Sequence, residues 1–203
     1  MSDSETLQFR DPEKADRLTE RLEALMDEIG HPVNIMHVCG THEQSIAKYG
    51  LRSRLPDGLS VRMGPGCPVC VTNMPEVDEA VALAEDGKIV ATYGDMFQVP
   101  GTEKSLADAK GEGADVRVVY SASEAHEIAE ENPDEDVIFF ATGFETTAAP
   151  TAAVLTDDPA DNFYVLSAHK YVPPAMELVA ELPDTDIDGF LAAGHAAVIT
   201  GSG

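Results

Sequence analysis

Short apolar runs rich in Val and Ile recur along this chain, each separated from the next by a segment long enough for a helix. No other feature restricts the fold as much. The runs fall at residues 33–38, 60–63, 88–93, 116–120, 137–141, 163–167 and 190–193. Strands this apolar need covering on both faces, which is the pattern of parallel sheets rather than of one-sided antiparallel ones. Helices are expected between them, near 42–50, 75–85, 103–110, 123–131, 146–155 and 174–181. Ahead of the first run, Asp11-Pro12 reads as the cap and first turn of a helix closed by Gly30. Leu18, Leu22, Leu25, Met26 and Ile29 lie on one face of that helix.

The expected class is therefore α/β: two Rossmann-like units with mostly parallel sheets flanked by helices. A chain of 203 residues, 43% of them hydrophobic, can build such cores. The charged segment 122–136 offers a boundary. It divides the chain into a first α/β domain, 1–121, and a second, 122–203, incomplete at its C-terminal end.

Charge narrows the partners. Acidic residues number 37 against 13 basic ones, a net charge of −24. Such a surface repels nucleic acid and anionic membranes. The acids are spread along the whole chain, as in Glu76, Asp78, Glu79, Glu85 and Asp86 on one helix. That distribution reads as adaptation to a very salty cytoplasm, where ionic strength screens self-repulsion. No run is long and apolar enough to span a membrane, and residues 1–10 are polar with no secretory signal, so a cytoplasmic location is expected. An odd number of cysteines, Cys39, Cys67 and Cys70, argues against a disulfide framework and for metal or redox work.

In parallel sheets ligands gather at the carboxyl ends of strands, and the unusual residues of this chain fall there. Cys39-Gly40-Thr41-His42 follows the first run, placing a thiol and an imidazole where a loop enters a helix. A helix N-terminus favours thiolate, the metal-binding form. Cys67-Pro68-Val69-Cys70 follows the second, with Gly64 and Gly66 letting the backbone turn. Two sulfurs at this spacing can form a disulfide or share one metal ion. A zinc site would need Cys39 and His42 as well; reversible dithiol chemistry needs nothing more. Pro75 defers the next expected helix by several residues, unlike a thioredoxin-type pair at a helix start. Asp95, Glu145 and His195 each stand just past another strand, though a first-turn carboxylate such as Glu145 also simply answers a helix dipole. Lys104, Ser167 and Lys170 could hold anions, His169 is ambiguous, and His31, His37 and His126 look unremarkable. Neither a phosphate-binding loop nor a dinucleotide fingerprint occurs.

Four strings together resemble the HypD family of hydrogenase formation proteins: Val38-Cys39-Gly40-Thr41-His42, Gly64-Pro65-Gly66-Cys67-Pro68-Val69-Cys70-Val71-Thr72, Gly143-Phe144-Glu145-Thr146-Thr147-Ala148, and Gly194-His195. Thr92-Tyr93-Gly94-Asp95-Met96 with Val99-Pro100-Gly101 is similar to that family too. The resemblance implies an assembly factor rather than a turnover enzyme, a scaffold for the Fe(CN)2CO group of nickel–iron hydrogenase. Iron would be held jointly with a HypC-type chaperone, cyanide delivered by a HypE-type donor, and the product passed to the hydrogenase large subunit. It makes Cys39, with His42 beside it, the iron-binding pair. It makes Cys67 and Cys70 a redox dithiol, and it places Asp95, Glu145 and His195 in the same cleft.

Two local departures stand out: Ala196-Ala197 replace the usual Val-Ser, and Gln44 stands where a histidine is common. The family also continues into a segment carrying a four-cysteine [4Fe-4S] site. This chain has no cysteine after Cys70, so a fragment, a truncated product or one half of a split protein is expected. Two other functions remain open on the residues alone, a general thiol–disulfide oxidoreductase and a zinc-stabilised α/β binding module.

Overall fold

The computed structural model describes residues 11–201; the polar stretch 1–10 lies outside them. In chain order the elements are α1 (Pro12–Ile29), β1 (Val33–His37), α2 (Gly40–Lys48), a 3-10 turn (Leu51–Arg54), β2 (Leu59–Met63), α3 (Pro68–Val71), α4 (Met74–Glu85) and β3 (Ile89–Tyr93). There follow α5 (Leu106–Gly111), β4 (Val116–Val119), α6 (Ala122–Glu131), β5 (Val137–Gly143), α7 (Glu145–Thr156), β6 (Phe163–His169), α8 (Val172–Glu181), β7 (Gly189–Leu191) and α9 (Gly194–Thr200). The α/β class and the parallel sheets expected from the apolar runs are what the chain forms.

Two compact units result. One comprises the chain up to Gly64 together with Pro183–Leu191, the other Pro65–Leu182 with Ala192 onward. The position 121/122 falls inside the second unit, because β3 hydrogen-bonds to β4 on one side and β5 on the other.

The first unit holds a three-stranded parallel sheet in the order β2-β1-β7. Its middle strand carries the buried side chains Asn34 and His37, followed by Val38 and Cys39. Asp11 caps α1 by accepting the Lys14 N–H at 3.0 Å, a contact worth about 1 kcal/mol, and Gly30 closes the helix at φ 72°. Only part of the apolar face expected on α1 is covered. Ala15, Thr19, Leu22 and Met26 are half-buried, whereas Leu18, Leu25 and Ile29 are exposed.

The second unit holds a four-stranded parallel sheet in the order β4-β3-β5-β6. All seven residues of β5 are buried, and they alternate between two cores. Ile138 and Phe140 join Val77, Ala80, Val81 and Ala84 of α4 and Leu106 of α5. Val137, Phe139 and Ala141 join Ala122, Ala125 and Ala129 of α6. A strand apolar on both faces is the sequence signature of this sandwich. Truncating Phe139 or Phe140 would cost on the order of 3–5 kcal/mol. Among the described residues no helix is long and apolar enough to cross a membrane.

Candidate functional site

In the first unit the chain leaves β1 still extended, and Cys39 (φ −151°, ψ 126°) becomes the N-cap of α2. Its carbonyl accepts the Glu43 N–H, while its side chain makes no capping bond and is 5% exposed. The thiol is thus free, buried and at the positive end of a nine-residue helix. His42 lies in the first turn of α2, with its ring edge-on to that of His37 at 5.8 Å between centroids. His37 had given no signal in the sequence. It is wholly buried, its Nε2 lies 2.9 Å from Glu43 Oε2, and its Nδ1 is buried with no partner. Arg52 grips both oxygens of Glu43 at 2.7 Å and donates from Nε to the Val61 carbonyl. Chiefly through that guanidinium bond, against partial burial and with help from His37, the Glu43 carboxyl is held down at about 2. A carboxylate fixed in this way orients the imidazole and tethers α2 to β2. The only hint of it in the sequence was Glu43 following His42.

The second unit carries the other residues. Cys67 is the N-cap of α3, and its sulfur accepts the Cys70 N–H at 3.3 Å. Both thiols are free, Cys67 partly buried and Cys70 exposed. The Cys70 thiol is raised above its ordinary value, first by its hydrogen bond to Cys67 and then by burial. Val69, between them, packs on the core beneath α4. The expected gap before the next helix is absent: a helical turn opens at Pro68, and Asn73 starts α4 in a capping box with Glu76. The objection to a pair at a helix start, drawn from Pro75, accordingly falls.

Asp95 is exposed in the turn after β3, and its charge adds to the burial that raises the Tyr93 hydroxyl. Glu145 opens α7 and is 6% exposed. Its Oε1 accepts the Val172 N–H at 2.8 Å, and its Oε2 is buried without a partner. His195 is exposed on α9. Lys170 is ion-paired to Glu76, and Lys104 to Glu85 and Glu112, so neither is a free anion holder. His169 ends β6 with its Nδ1 3.0 Å from Ser167 Oγ, and burial lowers its ring below the ordinary value. The structure thus sets Cys39 at the start of α2 with His42 in its first turn, joins Cys67 to Cys70, buries Glu145 and leaves Asp95 and His195 exposed. Among the described residues no three His, Cys, Asp or Glu side chains gather as a complete metal site.

Fold and site together define an α/β protein of two parallel-sheet units with free thiols at strand ends. Residues 13–203 match the HypD model, described as the hydrogenase formation hypA family. The chain is 44% identical to a putative hydrogenase expression/formation protein of Methanocaldococcus jannaschii, over 93% of its own length and 51% of that protein's. It is 40% identical to the hydrogenase maturation factor HypD of Escherichia coli, over 96% of its length and 54% of the relative's. It is 42% identical to HypD2 of Bradyrhizobium diazoefficiens, with the same coverage of 96% and 54%. The chain belongs to the HypD family. It spans about half the length of the curated relatives it matches.

Proposed function

We propose that this chain serves hydrogenase maturation as a scaffold on which the Fe(CN)2CO group is assembled, holding iron jointly with a HypC-type partner. Cys39 carries this proposal: a free, buried thiol that caps α2 at the end of a parallel strand, with His42 in the following turn. Soft thiolate suits low-spin iron, and a buried donor keeps water away from it. In this reading Cys39 is one ligand of the iron, and the HypC-type partner supplies another. In this scheme a HypE-type donor brings cyanide and the hydrogenase large subunit receives the finished group.

Cys67 and Cys70 act as the redox dithiol. Exchange with an external disulfide oxidises them to a Cys67–Cys70 disulfide and passes two electrons and two protons to that partner, which leaves as a dithiol; an external dithiol reverses the exchange. Asp95, Glu145 and His195 belong to the same chemistry by their place in the family's motifs. A [4Fe-4S] cluster does not fit the residues present, since it takes four thiolates and the chain has three cysteines. We assign the protein to a salt-rich cytoplasm on its net charge of −24.

One observation favours a second reading, a general thiol–disulfide oxidoreductase: Cys67 caps a helical turn and accepts the Cys70 N–H, an arrangement suited to a redox pair. Metal analysis of the anaerobically co-purified complex with a HypC-type partner separates the functions. Iron is the expected result. A complex without metal points to the oxidoreductase, and zinc in place of iron to a structural metal module.

A further inference from the structure

We infer that His37 is a positioning residue for the thiol site of the first unit: clamped by Glu43 and Arg52, its buried imidazole fixes the first turn of α2, and with it the ring of His42, on the strand that delivers Cys39. This deepens the maturation reading and rests on it, since Cys39 and His42 are taken there as the iron-binding pair. All of these residues lie in the first unit.

His37 is the last residue of β1 and is wholly buried. The ladder to β7 runs one residue further, where Val38 N–H donates to the Leu191 carbonyl, and Cys39 is still extended at φ −151° and ψ 126°. Alternate residues of an extended chain share a face, so His37 and Cys39 point to the same side. His42 comes round on the first turn of α2, and its ring meets that of His37 edge-on, at 65° and 5.8 Å between centroids. One residue on, Glu43 reaches the same imidazole, with Oε2 2.9 Å from Nε2. Arg52 holds both oxygens of that carboxylate at 2.7 Å and donates from Nε to the Val61 carbonyl on β2, the strand paired with β1. The contacts therefore run without a break from β2 through Arg52 and Glu43 to His37 on β1, and from His37 to His42 on α2.

Packing alone does not call for a histidine here. An ionised carboxylate only accepts hydrogen bonds, so Nε2 carries the proton that binds Glu43. Nδ1 is left buried without a partner, a cost that an apolar side chain of similar size would avoid. What the imidazole supplies is a donor aimed at Glu43 and a ring edge set against His42. Groups that orient a metal ligand from behind change metal affinity by about ten- to hundredfold.

The measurement is ferrous iron retained against a graded chelator in the anaerobic complex with the HypC-type partner. His37→Gln keeps an N–H for Glu43 but has no ring. His37→Phe keeps a ring and fills the apolar space but offers Glu43 no donor. Positioning predicts that His37→Phe weakens iron binding by at least about tenfold and His37→Gln by less. A packing role predicts equal losses or the reverse order, and either would overturn the proposal. Should these core variants fail to fold, Arg52→Met releases the clamp from the protein surface and should weaken iron binding by at least about threefold. A parent complex that holds iron, with retention unchanged in the folded variants, overturns this inference alone. A parent complex that holds no iron overturns the Cys39 reading and this inference with it.

Discussion

At the scale of single residues, Gly143 shows what the family's strings protect. It ends β5 at φ 130°, a conformation L side chains rarely adopt. A Cβ there would overlap the Thr147 hydroxyl, which donates to the carbonyls of Thr142 and Phe144 and so staples the start of α7. Gly143→Ala should therefore destabilise the protein by about 2 kcal/mol or more in chemical denaturation. A variant as stable as the parent would show that the turn relaxes freely. Gly101 is similar: a Cβ would strike the Asp78 carboxylate, which accepts from both the N–H and the hydroxyl of Thr102. These glycines were visible in the sequence as strings, but their reasons were not, because one reason is a contact with the next turn of helix and the other a contact with α4, on the far side of β3 in the chain. His37 was harder still. A histidine inside an apolar run looks like filler until Glu43 and Arg52 fold against it, and no local pattern announces a partner nine residues from its own acid.

At the scale of elements, strands and long helices were legible, since parallel strands buried on both faces are apolar throughout and the helices between them carry caps. Boundaries set by short elements were not. The four-residue α3 lies between Pro68 and Pro75, and four residues are too few to show a helical period. Its presence matters for the dithiol. Cys67 Sγ already accepts the Cys70 N–H, so the pair is arranged as neighbours before oxidation. Mild oxidation followed by alkylation and mass spectrometry should give one intramolecular link, Cys67 to Cys70, reversible by added dithiol, with Cys39 alkylated. A link from Cys39 to either of the others would contradict separate roles. Slow alkylation of both with no link would mark them as inert packing thiols.

At the scale of the whole molecule, the charge balance governs behaviour in solution. Arg52, Arg54, Lys88, Lys104, Arg117 and Lys170, half of the described Lys and Arg, are each paired with a carboxylate, and a large surplus of acid remains. Net charge of −24 destabilises the compact state at low ionic strength. The melting temperature should rise by at least roughly 5 °C from dilute buffer to molar potassium chloride, equivalent to one or two kcal/mol at this size. A flat profile would contradict adaptation to high salt. The site is legible at this scale only in part. Strings of glycine and cysteine at strand ends gave the thiols, whereas the burial of Glu145 appears only once its carboxylate has met the Val172 N–H at the start of α8.

The central claim is that Cys39 holds the iron of the assembling group, and Cys39→Ala tests it in the co-purified complex with a HypC-type partner. Elemental iron and the infrared bands of bound cyanide and carbonyl are the measurements. The account predicts loss of both in the variant, with partner binding and fold retained. Unchanged iron and unchanged bands would contradict it.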